Sequence, residues 1–571
     1  MDGVAHGSDR KLGEERPPRI MNVNIGVLGH IDSGKTSLVR SLSTLLSTAS
    51  LDKHPQSMER GITLDLGFSA FLTDVPAHLP SLPYDKVQFT LVDCPGHASL
   101  IRTIMGGAQI IDMMILVVDI TKGIQTQTAE CLVIGEISPC RDMIVALNKV
   151  DLLPEAARTQ QAERMKKRLR ATFQGTKFAG CDMVVVAARP GGPDGEAAGL
   201  QTLGMDDLMA SMSRAIKDQP PMSTAKDNQL PFLFAIDHCF PIRGQGTVLT
   251  GTVLQGAVSV NQMIELPPLK LQRKVKSMQV FHRPVSSARQ GDRVGLCVTQ
   301  LDSKLLERGL AAAPGSVPML SAAVASVRKI RFFKGRISSK GKLHITVGHS
   351  TVMADVMFFT GEGEGGTAGT GHHARGISPL PPEDGGCDFD LSRDYLYQDE
   401  LAEDEKMGKP DKTGPTDQRT GASALHGSQR HWALLLYDSP IYCPIGSLLI
   451  GSRLDADIHV NQCRLAFHGN LVKAIDPEKK ETLRVYKMKT KEGMIERFVD
   501  EHTVIGKGMF KKETDMSLFT VSLLSEYVRC SSVCDRQQGG GITRHTPLQS
   551  VKGGLFIDGQ MGENAHLVGI P

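Results

Sequence analysis

The chain has 571 residues, 22% charged and 40% hydrophobic, the balance of a soluble globular protein. At roughly 150 residues per domain it predicts about four domains, or three with unstructured segments. Lys and Arg number 65 against 62 Asp and Glu; the net charge of +3 excludes a uniformly basic nucleic-acid coat and leaves room only for a local basic patch.

In chain order, residues 1–19 read as a flexible N-terminus. They lack the apolar stretch of a secretory signal, and Asp2, Asp9, Glu14 and Glu15 argue against an acid-poor transit peptide. Residues 21–29, 87–93, 110–119 and 143–148 are apolar or alternating runs of strand length, and residues 37–46, 128–135 and 156–172 read as helices. This alternation predicts a doubly wound, mostly parallel α/β domain over residues 20–218. After a linker at 219–229, short alternating strands with frequent glycines predict a small β-barrel over 219–312. A second β domain is expected over 313–475, interrupted at 361–431 by a Gly-rich, acidic and polar stretch read as a disordered insertion. Strand-like texture resumes at 483–521, then fades, so residues 476–571 are expected to form a partial or divergent fourth domain. No run approaches the ~20 apolar residues that span a bilayer, which predicts a protein with no membrane association. The eleven cysteines are scattered and fit free thiols in a reducing cytoplasm.

The α/β part carries a set of phosphate and base motifs. Gly29-His30-Ile31-Asp32-Ser33-Gly34-Lys35-Thr36, followed by Ser37, lies between a strand and a helix. That context suits a phosphate-cradling loop, with Lys35 reaching the β/γ oxygens and Thr36 ligating Mg²⁺. Asp93-Cys94-Pro95-Gly96-His97 closes a later strand. There Asp93 would hold Mg²⁺ through water and the Gly96 N–H would meet the γ-phosphate. Thr63, in Arg60-Gly61-Ile62-Thr63, is the second candidate hydroxyl on the metal. Asn148-Lys149-Val150-Asp151 ends another buried strand. Asp151 can accept both N1–H and N2–H of guanine and is left unpaired by adenine; Asn148 would brace the loop and the Lys149 stem would cover the ring. A backbone N–H of Ala187 or Ala188 is the candidate donor to guanine O6. The expected ligands are GTP and GDP. His97 is the catalytic candidate, placed where another GTPase class uses Gln to orient water. No arginine identifies itself as a finger acting in cis, so slow intrinsic hydrolysis and activation by a partner are expected.

The sequences GHIDSGKT, RGIT, DCPGH and NKVD, followed by two β domains, resemble the translational GTPases, whose body is built like elongation factor Tu. ERGITLDLGFS, DHCFPIRGQGTVLTGTV, GDRVGLCVTQ, KLHITVGHSTVM and IGSRLDADIHVNQCRLAFHG are similar to the eukaryotic selenocysteine-specific (SelB-type) branch, over about residues 20–521 apart from the insertion. The resemblance implies GTP hydrolysis activated on the ribosome, with selenocysteinyl-tRNA delivered at UGA codons. It also implies coupling to an RNA-binding protein that recognises the mRNA selenocysteine element. A cytoplasmic, monomeric factor is expected. The alternatives are a general or initiator aminoacyl-tRNA carrier, or a GTP-binding regulatory module with a protein partner.

The same resemblance implies a selenocysteinyl pocket carried by Asp237, His238 and Arg293. A selenol is largely ionised at neutral pH whereas a serine hydroxyl is not, so Arg293 with His238 would favour the anion. Asp237 is expected to orient His238 and keep it cationic. Lys270, Arg273, Lys274, Lys276, Arg283, Arg289 and Arg293 form a basic stretch, read either as a solvated β face or as a contact for the tRNA acceptor arm. Arg484, Lys487, Lys489 and Lys491 form a second, for which RNA contact and plain solvation both stand.

Overall fold

The computed structural model describes residues 19–46, 66–80, 82–94, 110–138, 140–197, 199–216, 230–361, 389–402, 430–455, 463–477, 483–498, 504–507, 519–524, 527–535, 556–558 and 566–568. Strands β1 (Ile20–Gly29), β2 (Leu45–Leu46), β3 (Gly67–Asp74), β4 (Lys86–Asp93), β5 (Met113–Asp119), β6 (Asp142–Asn148) and β7 (Asp182–Val185) form one seven-stranded sheet in the order β2-β3-β4-β1-β5-β6-β7. Pairing is parallel from β4 through β7 and antiparallel at β2–β3 and β3–β4. All seven residues of β5 are buried, as a central strand covered on both faces requires. Helices Lys35–Leu42, Thr126–Ile137, Glu155–Phe173 and Met205–Ala215 accompany the sheet. The first is shorter than its sequence pattern: the chain leaves the helix at Ser43, and Leu45 and Leu46 join the sheet edge instead.

Next come β8 (Leu233–Ile242), β9 (Gly246–Gln255), β10 (Ala257–Ser259), β11 (Met263–Leu266), β12 (Leu271–Val280), β13 (Arg283–Val285), β14 (Ser287–Arg289), β15 (Arg293–Val298) and β16 (Gly309–Ala312). Six of them close a ring, β11-β16-β8-β9-β15-β12, sealed by the β11–β12 pairing. Phe234, Ile236, Leu249, Leu296 and Ala311 fill its core. A second ring, β18-β22-β23-β17-β21-β19, closes through β18–β19. Its strands are β17 (Met319–Lys329), β18 (Gly341–Val347), β19 (Ser350–Gly361), β21 (His431–Tyr442), β22 (Leu448–Ser452) and β23 (Leu465–Ile475). The expected architecture, an α/β domain followed by two barrels, is the one observed.

One expectation is corrected. Within the span read as a disordered insertion, Asp394–Gln398 forms strand β20, antiparallel to β19. It is held by aromatic packing: Tyr395 contacts Phe359 and Phe389, and Phe389 packs on Trp432. A short aromatic cluster disappears in the average of a long polar segment. Residues 362–388 and 403–429 of that insertion lie outside the described residues. Strand β20 also pairs in parallel with β24 (Arg484–Phe498), so the sheet runs from the second barrel into the C-terminal strands. Those are β25 (Val504–Lys507), β26 (Phe519–Leu524) and β27 (Tyr527–Asp535). Strand β27, drawn from a stretch whose sequence pattern looked too poor for a core, pairs with β24 from Tyr486 to Met494. Backbone pairing asks less of the sequence than a packed interior does.

Candidate functional site

The candidate phosphate loop is set by two glycines and a buried lysine. Gly29 (φ 150°) leaves β1 where a Cβ would lie 2.3 Å from the Val117 carbonyl oxygen. Gly34 (φ 90°) begins the helix where a Cβ would lie 2.2 Å from Asn148 Nδ2. Asp32 also takes a left-handed conformation, φ 57°. His30, Ser33 and Ser37 flank the same turn, with Ser33 fully buried. Lys35 is buried and its Nζ donates to the His30 carbonyl at 2.8 Å. Loss of solvent lowers the Lys35 pKa, while Asp93 opposes the shift. His30 is likewise lowered, by burial first and then by Lys35 and Lys122, which favours a neutral ring. Thr36 Oγ1 donates to Asp93 Oδ2 at 2.6 Å, joining the helix start to the end of β4. A hydroxyl and a fully buried carboxylate side by side are the hard oxygen donors that a magnesium ion takes together with phosphate oxygens and water.

The candidate base-reading loop is braced by Asn148. Its Nδ2 donates to the Ser33 carbonyl at 2.9 Å, and its Oδ1 accepts the Ala188 N–H at 3.1 Å. One amide thus ties the phosphate loop to the loop after β7. Asp151 Oδ2 accepts the Gly191 N–H at 3.1 Å. The Ala187 N–H donates to the Leu203 carbonyl at 3.0 Å. Both alanine N–H groups expected to meet guanine O6 are engaged within the protein. Lys149 (φ 69°) reaches Asp119, whose Oδ2 lies 2.9 Å from Nζ. Burial alone would raise the Asp119 carboxyl, but donors from Thr121 and Lys149 overcome it and hold the pKa below its usual value. Asp119 was missed in the sequence reading. Its signal was a carboxylate at the carboxyl end of a buried parallel strand, where open α/β sheets place ligand-site residues.

In the first barrel, a register shift between Ile236 and His238 puts a bulge at Asp237. Asp237 and Arg293 are 2% and 4% exposed, and Arg293 Nη1 donates to Asp237 Oδ2 at 2.5 Å. The Arg293 guanidinium also stacks over the Phe68 ring of β3, which His238 meets edge-on. The carboxylate expected to orient His238 is engaged by Arg293. Asp237 gives its carboxylate to Arg293, and its other oxygen lies 3.8 Å from Nε2 of His349 in the second barrel. The guanidinium competes successfully because it offers several donors in a fixed fork. The turn before Arg293 is seated on the α/β domain: Asn24 Nδ2 donates to the Gly291 carbonyl and Asn22 Nδ2 to Asp292 Oδ1. A cavity of about 70 Å³ opens beside Arg293, lined in part by Phe240, Gln245, Gln279, Phe281 and Cys297.

The first basic stretch does not form a single face. Arg293 is buried, and Arg289 lies over the Tyr84 ring of the α/β domain, while Lys270, Lys274, Lys276 and Arg283 are exposed. Lys487 pairs with Asp399 at 2.6 Å and sits over Tyr397, so it joins β24 to the β20 segment. Thr63, Gly96 and His97 lie outside the described residues.

Comparison with known proteins follows the same division of the chain. Residues 21–305 match the family described as elongation factor Tu GTP binding domain. Residues 324–469 match the third domain of eukaryotic selenocysteine-specific elongation factor, and 481–525 the eEFSec C-terminal RIFT domain. A mouse protein named selenocysteine-specific elongation factor is 50% identical over 508 residues, covering 88% of this chain and 84% of its own. A Methanocaldococcus jannaschii protein of the same name is 35% identical over 338 residues, 59% of this chain and 66% of its own. The crystal structure of translation elongation factor SelB from Methanococcus maripaludis, in complex with the GTP analogue GppNHp, aligns with a TM-score of 0.63 at 22% identity. It covers 91% of this chain and 100% of that one, a likeness of fold.

Proposed function

The chain belongs to the selenocysteine-specific elongation factors, and from that premise we propose that it is a GTPase that carries selenocysteinyl-tRNA to a ribosome decoding UGA. The observation that carries the specificity is the buried Arg293–Asp237 pair, wedged between barrel and α/β domain. A selenolate brought beside Arg293 gains a charge-assisted hydrogen bond, worth ~1.5–3 kcal/mol net. A neutral serine hydroxyl gains less. The neighbouring cavity, with aromatic walls and two glutamine amides, suits the charged end of a tRNA.

In this reading the turn from Gly29 to Ser37 wraps the phosphates. Asn148 fixes that turn to the base-reading loop, and Asp151 reads guanine. Binding requires Ala188 or Ala187 to exchange an internal partner for guanine O6, or O6 to be met by other groups. Thr36 and Asp93 would hold Mg²⁺, with Thr63 as a further hydroxyl; the ion supplies neutralisation of phosphate charge when bound. His97 orients the attacking water, and the ribosome supplies the stimulation. The working division of the chain is residues 20–218, 219–312, 313–475 and 476–571. Coupling to an RNA-binding protein at the mRNA selenocysteine element would fall to the divergent C-terminal part and is expected to be weak. The factor acts as a cytoplasmic monomer. Among the described residues no helix is long and apolar enough to cross a membrane.

Filter binding of the GTP-loaded protein to selenocysteinyl-, seryl- and uncharged tRNA tests the assignment. Preference for the first by at least roughly tenfold is expected, the factor that ~1.4 kcal/mol supplies. Equal retention of the two charged tRNAs over the uncharged one points to a general aminoacyl-tRNA carrier, equal retention of all three to binding of the tRNA body alone, and retention of none to a module without a tRNA ligand.

A further inference from the structure

The register of β18 and β19 pairs Val347 with Ser350, so their connection is the two-residue loop Gly348-His349. Gly348 has φ 55°, the left-handed first position of a hairpin turn whose twist matches its strands. This turn carries His349 at its tip, and the tip reaches the first barrel. There His349 Nε2 lies 3.8 Å from Asp237 Oδ1, while Oδ2 of the same carboxylate holds Arg293. The two side chains are 11% and 1% exposed, so water contributes little to the balance of charge.

Resting on the selenocysteinyl-tRNA reading, we propose that His349 is a positioning residue of the aminoacyl pocket, supplied by the second barrel. The argument is one of charge. With Arg293 closed on Asp237 the pair is neutral and attracts an anion weakly. Arg293 holds Asp237 through Nη1; a selenolate on another N–H of the same guanidinium competes for its charge and loosens that bond, and a buried carboxylate whose donor weakens is penalised. A separation of 3.8 Å is beyond hydrogen-bond reach. A shift of about 1 Å brings the His349 N–H to Asp237 Oδ1 and replaces what Arg293 gives up. The pocket would then discriminate fully only when the two barrels are docked.

The test compares the ratio of selenocysteinyl- to seryl-tRNA affinity in the GTP-loaded native protein and in His349→Phe, His349→Gln, His349→Asn and Arg293→Ala. Phe keeps the ring without a donor. Gln places an N–H at similar reach, and Asn falls short. The ratio is expected to fall roughly tenfold or more for Phe and Asn and to stay within about threefold for Gln. Affinities for GTP and seryl-tRNA should not change in the three His349 variants. A native ratio in His349→Phe beside a collapsed ratio in Arg293→Ala overturns the role of His349 and leaves the pocket standing. A native ratio in Arg293→Ala overturns the pocket reading and this inference with it. Should His349→Phe fail to fold, equal ratios for Gln and Asn overturn the proposal.

Discussion

Arg464 of the second barrel and Glu130 of helix Thr126–Ile137 form a buried, two-pronged ion pair. Arg464 Nε lies 3.0 Å from Glu130 Oε1 and Nη2 lies 2.9 Å from Oε2, with the residues 6% and 2% exposed. The Arg464 backbone N–H adds a third contact to the same carboxylate at 3.3 Å. Such a pair contributes little net stability over apolar residues of the same shape, but removing one member leaves a charge stranded. Arg464→Met is therefore expected to destabilise the docked state by about 3–5 kcal/mol. The double variant Arg464→Met, Glu130→Leu should recover most of that loss. Denaturant unfolding followed in the α/β domain and in the second barrel checks it. A single-variant cost below about 1 kcal/mol would mean the pair is solvated in solution.

Asp112 gives a pH dependence with a defined sign. Its Oδ2 accepts from the Asn24 backbone N–H at 2.8 Å and from Asn24 Nδ2 at 3.2 Å. Burial raises its carboxyl to about 6 against these bonds. The folded state then binds more protons than the unfolded state between the ordinary Asp range and pH 6. The contribution of Asp112 to stability falls as pH rises through that window and stays lost above it. The magnitude is at most roughly 2–3 kcal/mol. Asp112→Asn keeps an acceptor for Asn24 and should flatten this part of the profile. Melting curves of both proteins from pH 4 to pH 7 decide it, and parallel profiles would remove Asp112 as the cause.

Asp151→Asn is expected to shift base preference from guanine toward xanthine, because an amide N–H suits the 2-oxo group and cannot accept the guanine donors. Asp151 also receives the Gly191 N–H, which Asn can still accept through its carbonyl, so the loop should hold its shape. Competition between GTP and XTP reads the change directly. An unaltered margin for GTP means the base is read elsewhere.

His97→Ala is expected to keep GTP binding and to lose ribosome-stimulated hydrolysis by roughly 10² or more, the scale of a lost general acid–base or water-positioning group. Single-turnover hydrolysis with and without ribosomes separates the two effects. Equal stimulated rates in the two proteins would remove His97 from the mechanism.

How much of this was readable from the chain follows from sequence distance. Gly29, Gly34, Lys35 and Thr36 act within one turn, so their spacing alone announces them. Asp93 and Asn148 close buried strands, and strand ends are legible from apolar runs. The partnership of Asp237 with Arg293 spans 56 residues, and that of Glu130 with Arg464 spans 334, so both depend on how barrels close and dock. A carboxylate beside a histidine in sequence suggests a pair, and only the fold shows that a distant arginine reaches Asp237 as well. The β20 strand was hidden for a different reason. Its apolar content is one small aromatic cluster inside a segment dominated by glycine and acids.

The central claim is that a buried cation selects an anionic aminoacyl group, and Arg293→Ala tests it most directly. Equilibrium binding of the GTP-loaded variant to selenocysteinyl-tRNA and seryl-tRNA should show the first weakened by roughly 10–10² and the second by less than about threefold, since the lost hydrogen bond is to a charge. Equal weakening of both would contradict the account and make Arg293 a structural residue of the barrel.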